Sequence, residues 1–262
     1  MRPHTAQVVT WADQEGIADP TSRLMKQLGR LFYNKGLYPQ AEPWLRRALA
    51  IAETCFEKEH PNIASHLNSL AVLLHDTNRL EEAEQLIRRA LVIDETAFGK
   101  EHSEVANRLN NLAQLLQDTD RLGEAEPLMR RALTIAEASF GKDHQNVAIC
   151  LNNLAMLLKA TNRLKEAETL MRRALEIDEA SFGNEHPNVA IDLNNLALLL
   201  QATNRLGEAR PLMRRAVAIH EKSLGPDHPR TQGARRNLEI LLAEVAAAAS
   251  GEDDEPVVAD AP

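Results

Sequence analysis

The sequence predicts an all-α fold in which one helix–turn–helix unit is stacked many times as a solenoid. The main observation is an internal repeat of 42 residues, marked by His60, His102, His144, His186 and His228. From His186 the unit reads HPNVAIDLNNLALLLQATNRLGEARPLMRRAVAIHEKSLGPD. Self-similarity at a fixed period indicates a supersecondary unit that buries its apolar face against its neighbours. Apolar residues at helical spacing and a helix-rich composition indicate the same fold class.

The composition suits long helices and argues against several classes of function. Of the 262 residues, 44% are hydrophobic and only 3% aromatic, and Glu and Arg are abundant. The formal net charge is −8, and five acidic residues within 250–262 account for most of it. The rest of the chain is therefore close to balanced, which predicts no general attraction to nucleic acid or to an anionic membrane.

Cysteine usage and the N-terminus predict a cytoplasmic protein. Cys55 and Cys150 are far apart and occupy different places in the repeat, so no disulfide framework is indicated and a reducing compartment is expected. The N-terminal residues MRPHT lead into no long apolar run, so neither a signal peptide nor a membrane span is predicted.

Each repeat is predicted to contain a first helix, a tight turn and a second helix. Helical spacing places one apolar stripe at Leu67, Leu70, Ala71 and Leu74, and another at Leu80, Ala83, Ile87, Ala90 and Leu91. The pattern breaks at residues 76–79, 118–121, 160–163 and 202–205, where Asn or Asp tolerates the left-handed conformation that ends a helix.

The junctions between repeats carry signals of their own. The second helix is predicted to end near a glycine, at Gly99, Gly141, Gly183 and Gly225. The next helix opens at a proline in three cases, Pro61, Pro187 and Pro229, because proline at the first turn loses no hydrogen bond.

The spacing of these residues resembles the tetratricopeptide-repeat (TPR) signature in a 42-residue form. The string LNNLA followed by EAEPLMRRAL resembles kinesin light chain and many bacterial TPR proteins, and the resemblance covers about residues 22–244. The family's usual turn glycine is here Asn78, Asp120, Asn162 and Asn204, and its usual tyrosine late in the first helix is leucine. The resemblance implies a right-handed α-solenoid that holds other proteins.

The repeat predicts a definite layout. Residues 1–19 are expected to form an N-terminal capping helix with Trp11 covering the first repeat, and 229–249 a C-terminal capping helix, because a terminal apolar face is otherwise exposed. Residues 250–262 are expected to be a disordered acidic tail. The five repeats between the caps are predicted at 20–59, 60–101, 102–143, 144–185 and 186–228.

An asparagine ladder is the first candidate site. Asparagine is unfavourable inside a helix, yet it recurs in the middle of the first helix at Asn68, Asn110, Asn152 and Asn194, and one residue later at Asn111, Asn153, Asn195 and Asn237. The resemblance implies that this helix lines a concave groove and that such asparagines bond the main chain of a bound peptide. The alternative is that one asparagine of each pair bonds a neighbouring repeat across the interface between first and second helices. Asn111, Asn153 and Asn195 are favoured for the groove.

Other groove positions follow from the same helix. The predicted lining includes Gln114, Met156, Lys159, Leu198 and Gln201, next to Asn107, Ile149 and Ile191. The groove would change from polar and basic near Arg23, Lys26 and Arg30 to apolar toward the C-terminal end. The family's carboxylate clamp is matched only in part by Lys26 and Arg30, so that ligand is not expected.

Two further ladders are interpreted as scaffold. The Arg-Arg doublets of the second helix follow Glu42, Glu84, Glu126 and Glu168 at the i, i+4 spacing of helical ion pairs. The sequence, with only 3% aromatic residues, also offers no pattern of aromatic side chains for base stacking. The repeating histidines are too far apart to share a metal ion, and capping of the first helix is the better interpretation.

No motif of catalysis or cofactor binding is found, so the prediction is no enzyme and no cofactor. The leading hypothesis is a scaffold that binds a protein or peptide, without nucleic acid or membrane partners. The second is a sensor or regulatory arm of a bacterial signal-transduction system, which would act through self-association or an adjacent effector. The segment VVTWADQEGIADPTSRLMKQLG motivates it, since it resembles the segment before TPR arrays in bacterial signal-transduction ATPases.

Overall fold

The computed structural model describes Gln7, Thr10, Ala12, Asp13 and residues 18–252. The described part is helical without strands, and it falls into two compact units, residues 1–139 and 140–262. In each unit, consecutive helices pack against one another as antiparallel pairs. The all-α class predicted from the repeat is therefore confirmed.

The first unit contains three helix pairs. They are α1 (Ala18–Asn34) with α2 (Tyr38–Cys55), α3 (Pro61–Asp76) with α4 (Leu80–Phe98), and α5 (Ser103–Asp118) with α6 (Leu122–Phe140), whose last residue belongs to the second unit. The second unit contains the pairs α7 (Gln145–Ala160) with α8 (Leu164–Phe182) and α9 (Pro187–Ala202) with α10 (Leu206–Leu224). It also contains the single helix α11 (Pro229–Glu252).

Small residues allow these helices to approach closely. Ala41, Ala83, Ala125, Ala167 and Ala209 occupy the same position of each second helix and are fully buried. Other buried alanines pack with branched apolar side chains, as Ala64 and Ala90 do with Ile63, Leu67 and Ile93. Burial of this apolar surface is the main source of stability in a repeat fold.

The turn inside each repeat is built as the sequence predicts. Asn78, Asp120, Asn162 and Asn204 have φ between 57° and 60°, the left-handed region that Asn and Asp tolerate better than other side chains. The preceding threonine ends the first helix, and its hydroxyl donates to carbonyls of the last turn, as Thr77 Oγ1 does to Leu73 O at 3.0 Å. The second helices α4, α6, α8 and α10 end at glycines with φ of 80–87°, also as predicted.

The histidine ladder is a set of helix caps, which confirms the prediction. His60 Nδ1 accepts from the Asn62 N–H at 3.1 Å, and His102, His144, His186 and His228 accept from the equivalent N–H of their own helices. A phenylalanine four residues earlier stacks on the ring in four cases, with centroids 4.3–4.7 Å apart. Each cap satisfies one N–H that has no partner within the helix.

The predicted ends are described only in part. Of the proposed capping helix at 1–19, the described residues Gln7, Thr10, Ala12 and Asp13 are helical, and Asp13 accepts hydrogen bonds from Arg47 at 2.7–2.8 Å. Trp11 lies outside the described residues. At the other end α11 continues to Glu252, and the rest of the acidic tail is outside the described residues.

Candidate functional site

One side of each first helix stays open to solvent, because the second helices pack only against the other sides. We call this surface the first-helix face. Positions at i, i+4 and i+7 share one side of a helix. In the first unit the face therefore includes Asn107, Asn111 and Gln114 on α5. In the second unit it consists of Ile149, Asn153 and Met156 on α7 and Ile191, Asn195 and Leu198 on α9.

The asparagine ladder connects first helices of consecutive repeats. In the first unit, Asn111 Nδ2 donates to Asn68 Oδ1 at 2.7 Å, between α5 and α3. In the second unit, Asn237 Nδ2 donates to Asn194 Oδ1 at 3.0 Å, between α11 and α9. Both members of a pair thus contribute to repeat stacking, and they do so between successive first helices.

The other predicted asparagines differ in access to solvent. Asn110 is buried, with 6% of its surface exposed, whereas Asn153 and Asn195 are half-buried and line a cavity described below. Asn152 Nδ2 donates to Asp192 Oδ1 at 2.5 Å, between α7 and α9. In the second unit Asn152, Asn153 and Asn195 thus border one cavity, and Asn194 and Asn237 border another.

The remaining predicted positions are all on first helices. Gln114 borders a small cavity with Tyr33, Val72 and His75 in the first unit. Leu198 and Lys159 are half-buried, and burial lowers the pKa of the Lys159 ammonium. Gln201 Nε2 donates to Glu244 Oε2 at 2.8 Å.

A cavity of about 270 Å³ lies between α7 and α9 in the second unit. Ile149 and Met156 border it together and are 52% and 37% exposed, so they leave apolar surface open to solvent at one place. Ile191, Asn153 and Asn195 complete its rim. This combination of apolar side chains with a few amides is typical of a binding cavity.

The first unit has a polar cavity at the related position. It is about 280 Å³ in volume and is bordered by Arg30, Ser65, Asn68, Glu104 and Arg108, among others. Lys26 Nζ donates to Ser65 Oγ at 2.9 Å beside it. The cavity of the first unit is thus lined mainly by polar side chains, and that of the second unit has more apolar ones.

Two buried charged pairs were not identified from the sequence. Arg108 Nε lies 2.9 Å from Asp94 Oδ2 in the first unit, and both side chains are buried. In the second unit the same two positions of the repeat hold Asp192 and Asp178. The signal was available, since a charged residue interrupts an otherwise apolar stripe at the sixth residue after His102 and after His186.

The Asp192 carboxyl has an unusual environment. Burial, together with the neighbouring Asp178 carboxylate, raises the pKa of Asp192 to about 7. Burial also raises the pKa of Asp178, and the hydrogen bond between the two carboxyls opposes this rise. Below about pH 7 the pair therefore holds one proton between two carboxyls, and it loses that proton as the pH rises through neutrality.

Asp192→Asn is expected to change how stability depends on pH. The folded carboxyl keeps its proton up to about pH 7, whereas the unfolded carboxyl ionises near its ordinary value of 3.8. The stability due to this group is thus fully present below the unfolded pKa and is lost as the pH rises toward 7. Asparagine does not ionise, so the variant does not lose this stability. Its free energy of unfolding, relative to that of the wild type, should therefore increase from pH 4 to pH 7.

Urea unfolding at steps of pH measures this difference. The groups that face Asp192 are Asp178 and Glu179 on α8 and the Asn152 amide on α7, and all three remain in the variant. A difference between variant and wild type that stays constant across this range would contradict the raised pKa.

The arginine doublets are paired with carboxylates. The predicted i, i+4 pairs are present in all four repeats, from Glu42–Arg46 to Glu168–Arg172, at 2.7–2.9 Å. Arginines of the turns bridge to the preceding repeat as well, for example Arg121 to Glu84 at 2.9 Å. The salt-bridged interpretation of these pairs is confirmed, and exposed pairs of this kind contribute little stability each.

Within the described residues, no cluster of three or more His, Cys, Asp or Glu side chains could hold a metal ion. The same part of the chain contains no helix long and apolar enough to cross a membrane.

The geometry described so far defines a class of protein: a helical-repeat fold, of the kind that is typical of protein–protein interaction scaffolds. The sequence matches the tetratricopeptide repeat family over residues 20–96, 104–180 and 152–222. The chain belongs to the tetratricopeptide-repeat family.

Solved structures show the same fold at low sequence identity. BtubC (BKLC) from P. vanneervenii is 24% identical, with a TM-score of 0.69 over 86% of this chain and 91% of its own. A putative kinesin light chain from Podosopora anserina is 24% identical, with a TM-score of 0.61 over 77% and 97%. A Rap protein complexed with Competence and Sporulation Factor is 16% identical, with a TM-score of 0.67 over 85% and 66%. No curated protein matches the sequence.

Proposed function

We propose that the chain is a non-catalytic scaffold that binds an extended peptide or partner segment on its first-helix face. The observation that carries the proposal is the cavity between α7 and α9, where exposed Ile149 and Met156 lie beside Asn153 and Asn195. Apolar side chains contribute affinity when binding removes their surface from water, and amides offer hydrogen-bond partners to the peptide main chain.

The asparagines can serve the scaffold and a ligand together. A side-chain amide has two N–H donors and a carbonyl oxygen with two lone pairs. The bond between Asn111 and Asn68 uses one position on each side chain. The ladder thus holds these amides in a fixed orientation, which lowers the entropic cost of binding a peptide.

The fold neighbours support ligand binding by this architecture. The Rap protein was solved in complex with Competence and Sporulation Factor, and it shares the fold of this chain. The second hypothesis, a regulatory arm in bacterial signal transduction, remains a prediction from the sequence.

Serine at both Ile149 and Met156 is expected to weaken peptide binding. Random dodecapeptides displayed on phage would be selected against the wild-type chain, and the recovered peptides measured by fluorescence anisotropy. The two substitutions remove exposed apolar surface, so the Kd should rise about thirtyfold, as expected when two contacting side chains each contribute about 1 kcal/mol.

Val92→Ser is the matched control, because Val92 is 60% exposed on the second helix α4 and lies off the first-helix face. Its Kd should equal that of the wild type. Equal binding by the wild type and the Ile149/Met156 variant would place the peptide elsewhere and refute the proposal.

A further inference from the structure

Two carboxyls form the buried end of the cavity between α7 and α9. Asp178 and Asp192 both border the cavity, and they are only 4% and 2% exposed. Apart from the hydrogen bond that the two carboxyls share, Asp178 Oδ1 and Asp192 Oδ2 have no donor among the described residues. Buried acceptors without donors are costly, so such a site favours a ligand that brings donors.

The first unit has an aspartate at the same position paired with a cation of the chain itself. Asp94 is the counterpart of Asp178 two repeats earlier, and Arg108 is the counterpart of Asp192. There the chain supplies its own cation, with Arg108 Nε 2.9 Å from Asp94 Oδ2. In the second unit an aspartate stands where the arginine would be, so two acids meet and the internal cation is missing.

The rest of the cavity suits a cation on an apolar stem. Ile149, Met156 and Ile191 border its open side, while the carboxyls occupy the buried end. A lysine or arginine side chain has this distribution, with methylene groups behind a charged head. Two carboxylates and an amide are too few ligands for Ca²⁺, which takes six to eight oxygens.

We propose that Asp178 and Asp192 bind the ammonium or guanidinium group of a basic side chain in the bound peptide. This inference rests on the proposed function, which it narrows to peptides with a lysine or arginine. The cation takes the place of the proton that the pair shares, and that proton passes to solvent. A guanidinium can donate to both carboxyls at once, and charge-assisted hydrogen bonds of this kind are the strong ones.

The test uses a small probe, so that it does not depend on finding the peptide. n-Butylguanidinium carries the stem and the charged head, and n-butylurea has nearly the same shape without the charge. Carboxyl ¹³C chemical shifts of Asp178 and Asp192 would be followed at pH 7 during titration with each compound. The expected result is saturable shifts with butylguanidinium and a lowered pKa of Asp192, with butylurea at least about tenfold weaker, as for a hydrogen bond to a charged group.

Two variants act as matched controls. Asp192→Arg restores the arrangement seen at Asp94 and Arg108, so the site should be filled and binding of the probe lost. Asp178→Asn with Asp192→Asn keeps the shape and removes the charge, and it should also lose binding. Circular dichroism tests whether each variant is folded. If only one of the two folds, the result for that variant decides between the proposal and its alternative.

Equal binding of the urea and the guanidinium, or no saturable shift in either carboxyl, would overturn the proposal. The proposed peptide binding and the proposed cation site can be refuted independently of each other. If butylguanidinium binds here and no displayed peptide is recovered, the cation site stands and peptide binding is wrong. If peptides bind on the first-helix face without any preference for lysine or arginine, peptide binding stands and the cation site is wrong.

Discussion

Asp94→Ala is expected to lower the free energy of unfolding by about 3 kcal/mol. The variant leaves the Arg108 guanidinium buried without its main partner, and breaking a buried pair in this way costs roughly 3–5 kcal/mol. Arg108 Nη2 also lies 3.0 Å from the more exposed Glu104 Oε2, which keeps part of the compensation and places the value at the lower end. Urea denaturation followed by circular dichroism at neutral pH measures the change.

The control replaces both charges. Asp94→Leu together with Arg108→Met should recover most of the lost stability, because apolar side chains of similar volume remove the desolvation cost along with the attraction. A double variant as unstable as Asp94→Ala would mean that shape, and not the uncompensated charge, causes the loss.

Leu154→Ala is expected to cost about 2–5 kcal/mol. Leu154 is 1% exposed and lies on α7 in the layer of leucines that faces the second helices, so its removal leaves a cavity as well as losing buried apolar surface. Thermal or urea unfolding measures the loss. Ile149→Ala on the same helix is the control, because Ile149 is half-exposed and its truncation should cost far less.

The part of the chain that Leu154→Ala destabilises is as informative as the size of the change in free energy of unfolding. In a stack where each repeat contacts its neighbours, a weakened repeat opens locally before the whole array unfolds. Hydrogen exchange on Leu154→Ala should therefore show the largest loss of protection in α7 and its neighbours. A uniform loss across α1 to α11 would contradict the nearest-neighbour description of this chain.

Much of the fold was predictable because its signals are local. A left-handed turn needs Asn, Asp or Gly, a helix start benefits from a side-chain acceptor, and both requirements recur every 42 residues in this sequence. The positive φ of Asn78 and the cap from His60 are the structural counterparts of these signals. Local backbone rules of this kind depend little on distant residues.

The candidate site was predictable only as a set of positions. Helical spacing places Asn153, Met156 and Asn195 on the same side of their helices, but it does not say which atoms of the next repeat come within reach. The prediction allowed one asparagine of each pair to bond across to a second helix. In the structure Asn111 bonds Asn68 on the preceding first helix, because successive first helices approach each other directly.

The sequence by itself therefore determined the repeat, the helix boundaries, the caps and the ion pairs of the second helices, since each depends on residues close together in the chain. Only the tertiary structure decided which polar side chains meet between repeats. Asp178 and Asp192 are ordinary acidic residues when read along the chain. Packing α8 against α9 brings their carboxyls together beneath an apolar rim, and burial then raises the pKa of Asp192 to about 7.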